Sequence, residues 1–130
     1  MSQENVEIVR RAFQAFEEGN VSGMLELMAD DLITYRPDPD RATYHGKEGF
    51  FQATADWIEG FQDWTATPGQ FIDAEDHVLV SVRQTARGEG SGVPVESDFW
   101  FAFTVRRGKI ARVSFHARKS EALKAAGLAE

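Results

Sequence analysis

An α+β fold is predicted by three features of the chain. Apolar residues recur at helical spacing through most of the first half, strict alternation fills the second, and glycine-marked turns join the alternating runs. Helices first and antiparallel hairpins after them predict helices packed on one face of a sheet. The 130 residues suit one domain, 1–130, with no repeat, low-complexity tract or linker to divide it.

Ser2 is placed to cap a first helix, with Glu4 and Glu7 in the turn where the helix dipole favours acids. Val6, Val9, Phe13 and Phe16 form its apolar stripe, and Gly19 is suited to end it. Asn20 caps a short second helix with Met24, Leu27 and Met28 on its apolar side, weakened by Gly23. Asp30-Asp31 breaks that helix, and Leu32 to Arg36 reads as a first strand. Pro37 and Pro39 stop the strand in an acidic loop, PDPDRAT. His45-Gly46 opens a third helix, Lys47 to about Phe61, with Phe50, Ala53 or Thr54, Trp57 or Ile58, and Phe61 on its buried side.

Gln62 to Gly69 is expected to be a connection, containing Trp64 and Pro68. Gln70 to Asp73 then precedes a turn at Ala74-Glu75-Asp76. Val78, Val80 and Val82 alternate along a strand that runs to Arg87, and Gly88, Gly90 and Gly92 make a hairpin loop. The stretch Val95–Val105, VESDFWFAFTV, is the strand around which the rest is arranged. Phe99, Phe101, Phe103 and Val105 share one face, read as looking inward. Asp98, Trp100, Ala102 and Thr104 share the other, which a second subunit is expected to cover. Arg106-Arg107-Gly108 turns the chain back into Lys109 to Ala117. Ser120 caps a last helix, Glu121 to Ala126, closed by Gly127.

Composition narrows the function. The chain has no cysteine, so thiolate and disulfide chemistry are absent, and a reducing, cytoplasmic setting is expected. Its opening residues are acidic where a signal peptide is basic, and no apolar run approaches the ~20 residues that span a bilayer. A net charge of −7, with no basic cluster beyond Arg106-Arg107 near Lys109, makes nucleic acid and anionic membrane poor partners. His45, His77 and His116 are scattered without HExxH or paired-carboxylate spacing, so no metal site is expected. GEGSG lacks the strand, helix and lysine of a phosphate loop, no serine sits in a nucleophile elbow, and no cofactor motif is present.

The segments NVEIVRRAFQAFEEGNVSGMLELMADDL, YHGKEGF, VLVSVRQTARGEGSG, TVRRGKIARV and EALKAAGL together resemble a SnoaL-like protein of the nuclear-transport-factor-2-like superfamily, across essentially the whole chain. The resemblance implies a cone: three N-terminal helices closing over a strongly curved, mixed and mainly antiparallel sheet around a deep pocket. It also implies a homodimer paired through the outer sheet face. Ketosteroid isomerases, polyketide cyclases, epoxide hydrolases, dehydratases and non-catalytic modules share this architecture, so fold leaves the activity open.

The resemblance can be tested residue by residue. The isomerase base falls on Arg36, its hydroxyl donor near Ala12 and its buried acid near Phe101, so all three groups that chemistry needs are missing. Of the Asp-Arg-Asp set of epoxide hydrolases, Arg83 and Asp98 supply two parts, and no second sheet aspartate is evident. The acid and histidine of polyketide cyclases have Asp98 and His116 as their only candidates. A carboxylate beside an imidazole can orient it and tune its pKa. Both, however, fall out of phase with the inward phenylalanines, where a dimer-interface or surface role is the alternative.

Tyr35 is the third candidate for acid–base work, or else packs under the sheet edge. Gln84 continues the inward phase of Val78, Val80 and Val82, as a polar group in an apolar cavity or one already at solvent. Arg36 is in phase with Leu32 and Thr34 and suits a ligand carboxylate at the pocket rim, or an ion pair with Asp38 or Asp40. Phe50, Trp57, Phe61, Phe101 and Phe103 are the candidate wall for a small hydrophobic organic ligand, or ordinary core. The function expected is cofactor-free isomerisation, cyclisation, dehydration or hydrolysis; the alternatives are a non-catalytic binder and a dimeric interaction module.

Overall fold

The computed structural model describes residues 2–36 and 41–127. The Pro37–Asp40 part of the acidic loop, the proposed partners Asp38 and Asp40, and the Ser2 side chain lie outside what it describes.

Two helices, α1 (Ser2–Glu17) and α2 (Val21–Glu26), lead into β1 (Met28–Arg36). The chain continues through β2 (Ala42–His45), α3 (Gly46–Ile58), β3 (Phe61–Ala74), β4 (His77–Gly88), β5 (Pro94–Arg106), β6 (Lys109–His116) and α4 (Lys119–Ala125). Six strands form one sheet in the order β2-β1-β6-β5-β4-β3. Every neighbouring pair is antiparallel except β1 with β6, so the sheet is mixed, as the resemblance implied.

The local signals act as read in α2 and the hairpins. Asn20 Oδ1 accepts from the Gly23 backbone N–H at 3.0 Å and starts α2. Arg107 and Gly108 both take positive φ, the geometry that lets a two-residue turn follow the twist of its strands.

The structure corrects the reading elsewhere. β1 begins at Met28 rather than Leu32, and its register against β6 shifts between Met28 and Ile33; Asp30 and Asp31 sit in that irregularity. β2 was not expected. α3 stops at Ile58, so Phe61 is the first residue of β3, paired with Gly88, and not the end of a helix stripe. The expected connection Gln62–Gly69 is part of a 14-residue strand. Pro68 and Gly69 are accommodated because β3 is an edge strand whose pairing shifts between Pro68 and Phe71. α4 has Arg118 at its cap position with no side-chain capping bond, so Ser120 does not start it.

The inward phase of β5 holds. Phe99 and Phe103 are buried and Phe101 half-buried, in one core with Val9, Ala12 and Ala15 of α1, Leu32 of β1 and Val113 of β6. Phe13 of α1, half-buried, packs onto this core. Its ring stacks on Phe101 (centroids 5.8 Å apart) and meets Phe103 and Phe71 edge-on at 5.8 and 6.0 Å. The opposite face is not left wholly to a partner. Ala122 and Ala126 at the C-terminal helix cover Leu79 and Ala102, with Trp100 at the margin and Lys119 Nζ 5.5 Å from its ring. Helices therefore lie on both sides of the sheet, three within the curve and α4 outside it.

Candidate functional site

The inside of the cone is nearly full. Phe13, Phe16, Phe50, Phe101, Phe103 and Phe115 close around an apolar cavity of about 60 Å³. An apolar cavity of about 150 Å³ holds a benzene ring, so this one has no room for a ring without moving side chains. Ala12 and Phe101, where the isomerase hydroxyl and acid would fall, both line it, and they offer a methyl and a phenyl.

A second space, larger than this inner one, lies at the open end, where β1 and β6 finish and β5 starts near α3. It is a cleft of about 210 Å³, lined by Arg36, Gln84, Asp98 and His116 together with Trp57, Phe99 and Phe115. Trp57, Phe99 and Phe115 also wall a gap of about 20 Å³ that shares Thr54, Trp64, Phe101 and Phe115 with the inner cavity. The three spaces thus form a graded series, polar at the rim and apolar inside. Phe101 and Phe115 lie 4.5 Å apart and Trp57 and Phe99 5.8 Å apart across this neck.

Four side chains converge beside the neck. Gln84 is 7% exposed, so it has not reached solvent. Its Oε1 accepts from Trp57 Nε1–H at 2.9 Å and from Trp64 Nε1–H at 2.7 Å. Its Nε2 donates to Ser97 Oγ at 2.7 Å. The amide thereby ties α3, β3, β4 and β5 together. Its oxygen uses both acceptor positions on protein donors rather than facing a ligand.

The remaining candidates separate. Arg36 is 8% exposed, in phase with Leu32 and Thr34, its guanidinium 5.9 Å from the Tyr44 ring. His116 is 9% exposed; it pairs with Trp100 across the sheet and so belongs to the outer phase, yet it lines the rim because both faces are reachable where the strands end. Its Nε2 and Ser114 Oγ are 2.8 Å apart. Asp98 is at the same rim but exposed, its Oδ1 accepting from Arg83 at 2.9 Å. Arg83 also binds Glu96, and this pair of acids, Asp98 first, raises the Arg83 pKa further. Tyr35 lies on the outer face, paired with Ser114 and 5.9 Å under Arg112, and lines none of the three spaces. Phe61 lines none of them either. Phe50, Trp57, Phe101 and Phe103 are wall residues.

Sequence reasoning missed Trp64, Ser97 and Phe115 as site residues. Trp64, Ala66 and Pro68 do alternate, but the proline and glycine after them read as a loop. Ser97 is in the phase of Phe99 and directly opposite Gln84.

Beside the rim, Asp56 on α3 accepts from Tyr44 Oη at 2.7 Å and from Gln52 Nε2 at 2.8 Å. The Tyr44 bond, then the Gln52 bond and the Arg36 charge, hold its carboxyl below the usual carboxylate range. A lowered folded-state pKa adds stability above the unfolded value of about 4 and loses it as pH falls through the folded value. Asp56→Asn is therefore expected to lower the urea midpoint at neutral pH, with the gap to the native chain closing as the titration is carried below about pH 4.

Among the described residues, no group of three or more histidines or acids is arranged to hold a metal ion, and no helix is long and apolar enough to cross a membrane.

A curved sheet closed by helices, with a pocket at its open end, defines the nuclear-transport-factor-2-like class of pocket proteins. The SnoaL-like domain model matches residues 9–113, and the chain belongs to that family. A nuclear-transport-factor-2-like protein of Burkholderia xenovorans is similar in structure, 27% identical over 97% of both chains, with a TM-score of 0.73. A protein of Jannaschia sp. assigned as a SnoaL-like polyketide cyclase is 22% identical, covering 98% of this chain and 94% of its own, with a TM-score of 0.76. TerC, co-crystallised with polyporic acid, is 20% identical, covering 95% of this chain and 98% of its own, also at 0.76. No curated protein matches the chain.

Proposed function

We propose that this SnoaL-like domain binds a small organic molecule in the rim cleft, with the ligand's apolar part on Trp57, Phe99 and Phe115. The observation that carries the reading is the size difference between the two spaces, about 210 Å³ at the rim and about 60 Å³ inside. The similar structures include one crystallised with polyporic acid and one, from Catenulispora acidiphila, in complex with trimethylamine; they support a small-molecule role without naming the ligand. The neighbouring tryptophans supply the assay. A screen of small aromatic compounds by tryptophan fluorescence is expected to give saturable ligands, and Ala117→Trp, which fills the cleft wall, is expected to weaken them by at least roughly tenfold. Unchanged affinity in that variant would place the site elsewhere.

A catalytic version of this reading is favoured by His116 and Asp98 sharing the cleft. His116 would be the acid or base and Asp98 the group that tunes it, with no cofactor. Asp98→Asn and His116→Ala would then each slow turnover of an identified substrate; normal rates in both would remove the assignment. The homodimer and the cytoplasmic setting belong to the same reading. Half-buried Ile33 and Tyr35 on the outer face, beyond the cover of α4, support the homodimer, and a monomer in sedimentation would remove it.

A further inference from the structure

We infer that another cleft, between the start of β1 and the β5–β6 hairpin, binds a small organic molecule through a phosphate group. Its volume is about 620 Å³, and it shares no lining residue with the rim cleft. Three parts of the chain bring cations to it: Lys47 from the first turn of α3, Arg106 and Arg107 from the end of β5 and its turn, and Lys109 from the start of β6. The acids on its walls are Asp30 and Asp31 of β1. Four cations against two acids leave an excess of two positive charges, on a chain whose net charge is −7.

The bonds these groups make show where the excess sits. Lys47 Nζ is 3.2 Å from Asp30 Oδ1, and that pair cancels. Lys109 Nζ donates to the backbone carbonyl of Glu26, which fixes its place and leaves its charge uncompensated. Among the described residues, neither Arg106 nor Arg107 has an ion pair or a side-chain hydrogen bond. Three cations thus face one remaining acid, Asp31. The backbone is irregular at the same place. Met28 pairs with Ile110 and Ile33 with Arg112, so the segment from Ala29 to Leu32 stands against Ala111 alone. Arg107 has a φ of 53°, at a turn position that asparagine, aspartate or glycine fills with less strain. Strain of this kind is found where the position of a side chain serves binding.

Charge and size set the class of ligand. A phosphate group carries about −1.5 to −2 charges near neutral pH, which matches the excess. Guanidinium forks meet its oxygens two at a time, and the lysine adds a point charge. Organic ligands occupy roughly 300–1,000 Å³, so about 620 Å³ holds the phosphate and a body lying on Met28, Ala29 and Ala111. The acidic balance of the whole chain opposes a nucleic-acid backbone and leaves a single phosphate group as the match.

Calorimetry at low salt, comparing phenyl phosphate with inorganic phosphate and benzoate, tests this. Phenyl phosphate is expected to bind at least roughly tenfold more tightly than either, and to weaken as salt is added. Arg107→Asn separates binding from folding. Asparagine suits the positive φ, so the melting temperature should hold or rise while phenyl phosphate binding falls at least roughly tenfold. Arg106→Gln should weaken it similarly, and Asp31→Asn should tighten it. Equal binding of benzoate or inorganic phosphate would overturn the proposal. So would no saturable binding of phenyl phosphate, or unchanged binding in Arg107→Asn, which would make the arginines a solvated turn. Each of these outcomes leaves the rim cleft as it stands, because the two clefts have separate walls.

Discussion

Gln84→Leu is expected to lower the free energy of unfolding by about 2–4 kcal/mol, with the tryptophan emission shifted. The substitution keeps the bulk of the side chain and removes its polar atoms. Two indole N–H groups, on Trp57 and Trp64, then lose the one oxygen that both use. A fully buried donor left unmade costs about 1–3 kcal/mol; these two indoles are part-buried, so each falls toward the low end of that range. Ser97 is exposed and recovers its bond from water, so it adds little. Urea titration gives the size of the loss, and an unchanged m-value shows that the change lies in stability rather than in the extent of unfolding. A loss under about 1 kcal/mol would mean that the indoles find other acceptors. The same variant should loosen the neck, because Trp57 is anchored there through this amide.

Phe13→Ala is expected to cost about 3–5 kcal/mol, the range for truncating a packed phenylalanine. The ring it removes touches Phe71, Phe101 and Phe103, three residues of the sheet. The variant should also gain what the native chain lacks. Adding the space of a phenyl ring to a cavity of about 60 Å³ makes an apolar hole fit for benzene. Benzene should therefore raise the melting temperature of the variant and leave that of the native chain unmoved. A variant that loses stability without gaining benzene binding would mean that the core has collapsed into the gap.

These two residues also show how much was legible. Gln84 and Phe13 both follow from periodicity: one continues a valine alternation, the other sits on a helical stripe, and the structure puts both on the inner side. The phase of Phe99, Phe101 and Phe103 was readable for the same reason. What periodicity could not give is what happens where strands stop. His116 belongs to the outer phase and is nonetheless at the cleft, because a sheet face has no meaning past its last pair. β3 was hidden by Pro68 and Gly69, residues that an edge strand tolerates and an inner strand does not. Nor does alternation report volume. The deep pocket implied by resemblance is here filled by phenylalanines contributed from α1, α3, β5 and β6, and only three-dimensional packing adds them up.

The pairing of β1 with β6 has a consequence for assembly. Tyr35 lies beside Ser114, so the first long strand finds its inner neighbour far along the chain, beyond the three strands that follow α3. Until Lys109–His116 is in place, β1 and β2 have no bridge to the three-strand meander β3-β4-β5, and the buried face of β1 has no sheet to join. Closing so distant a contact is slow compared with forming hairpins, so the meander should organise first and the chain should lock only when its last strand slots between the two halves.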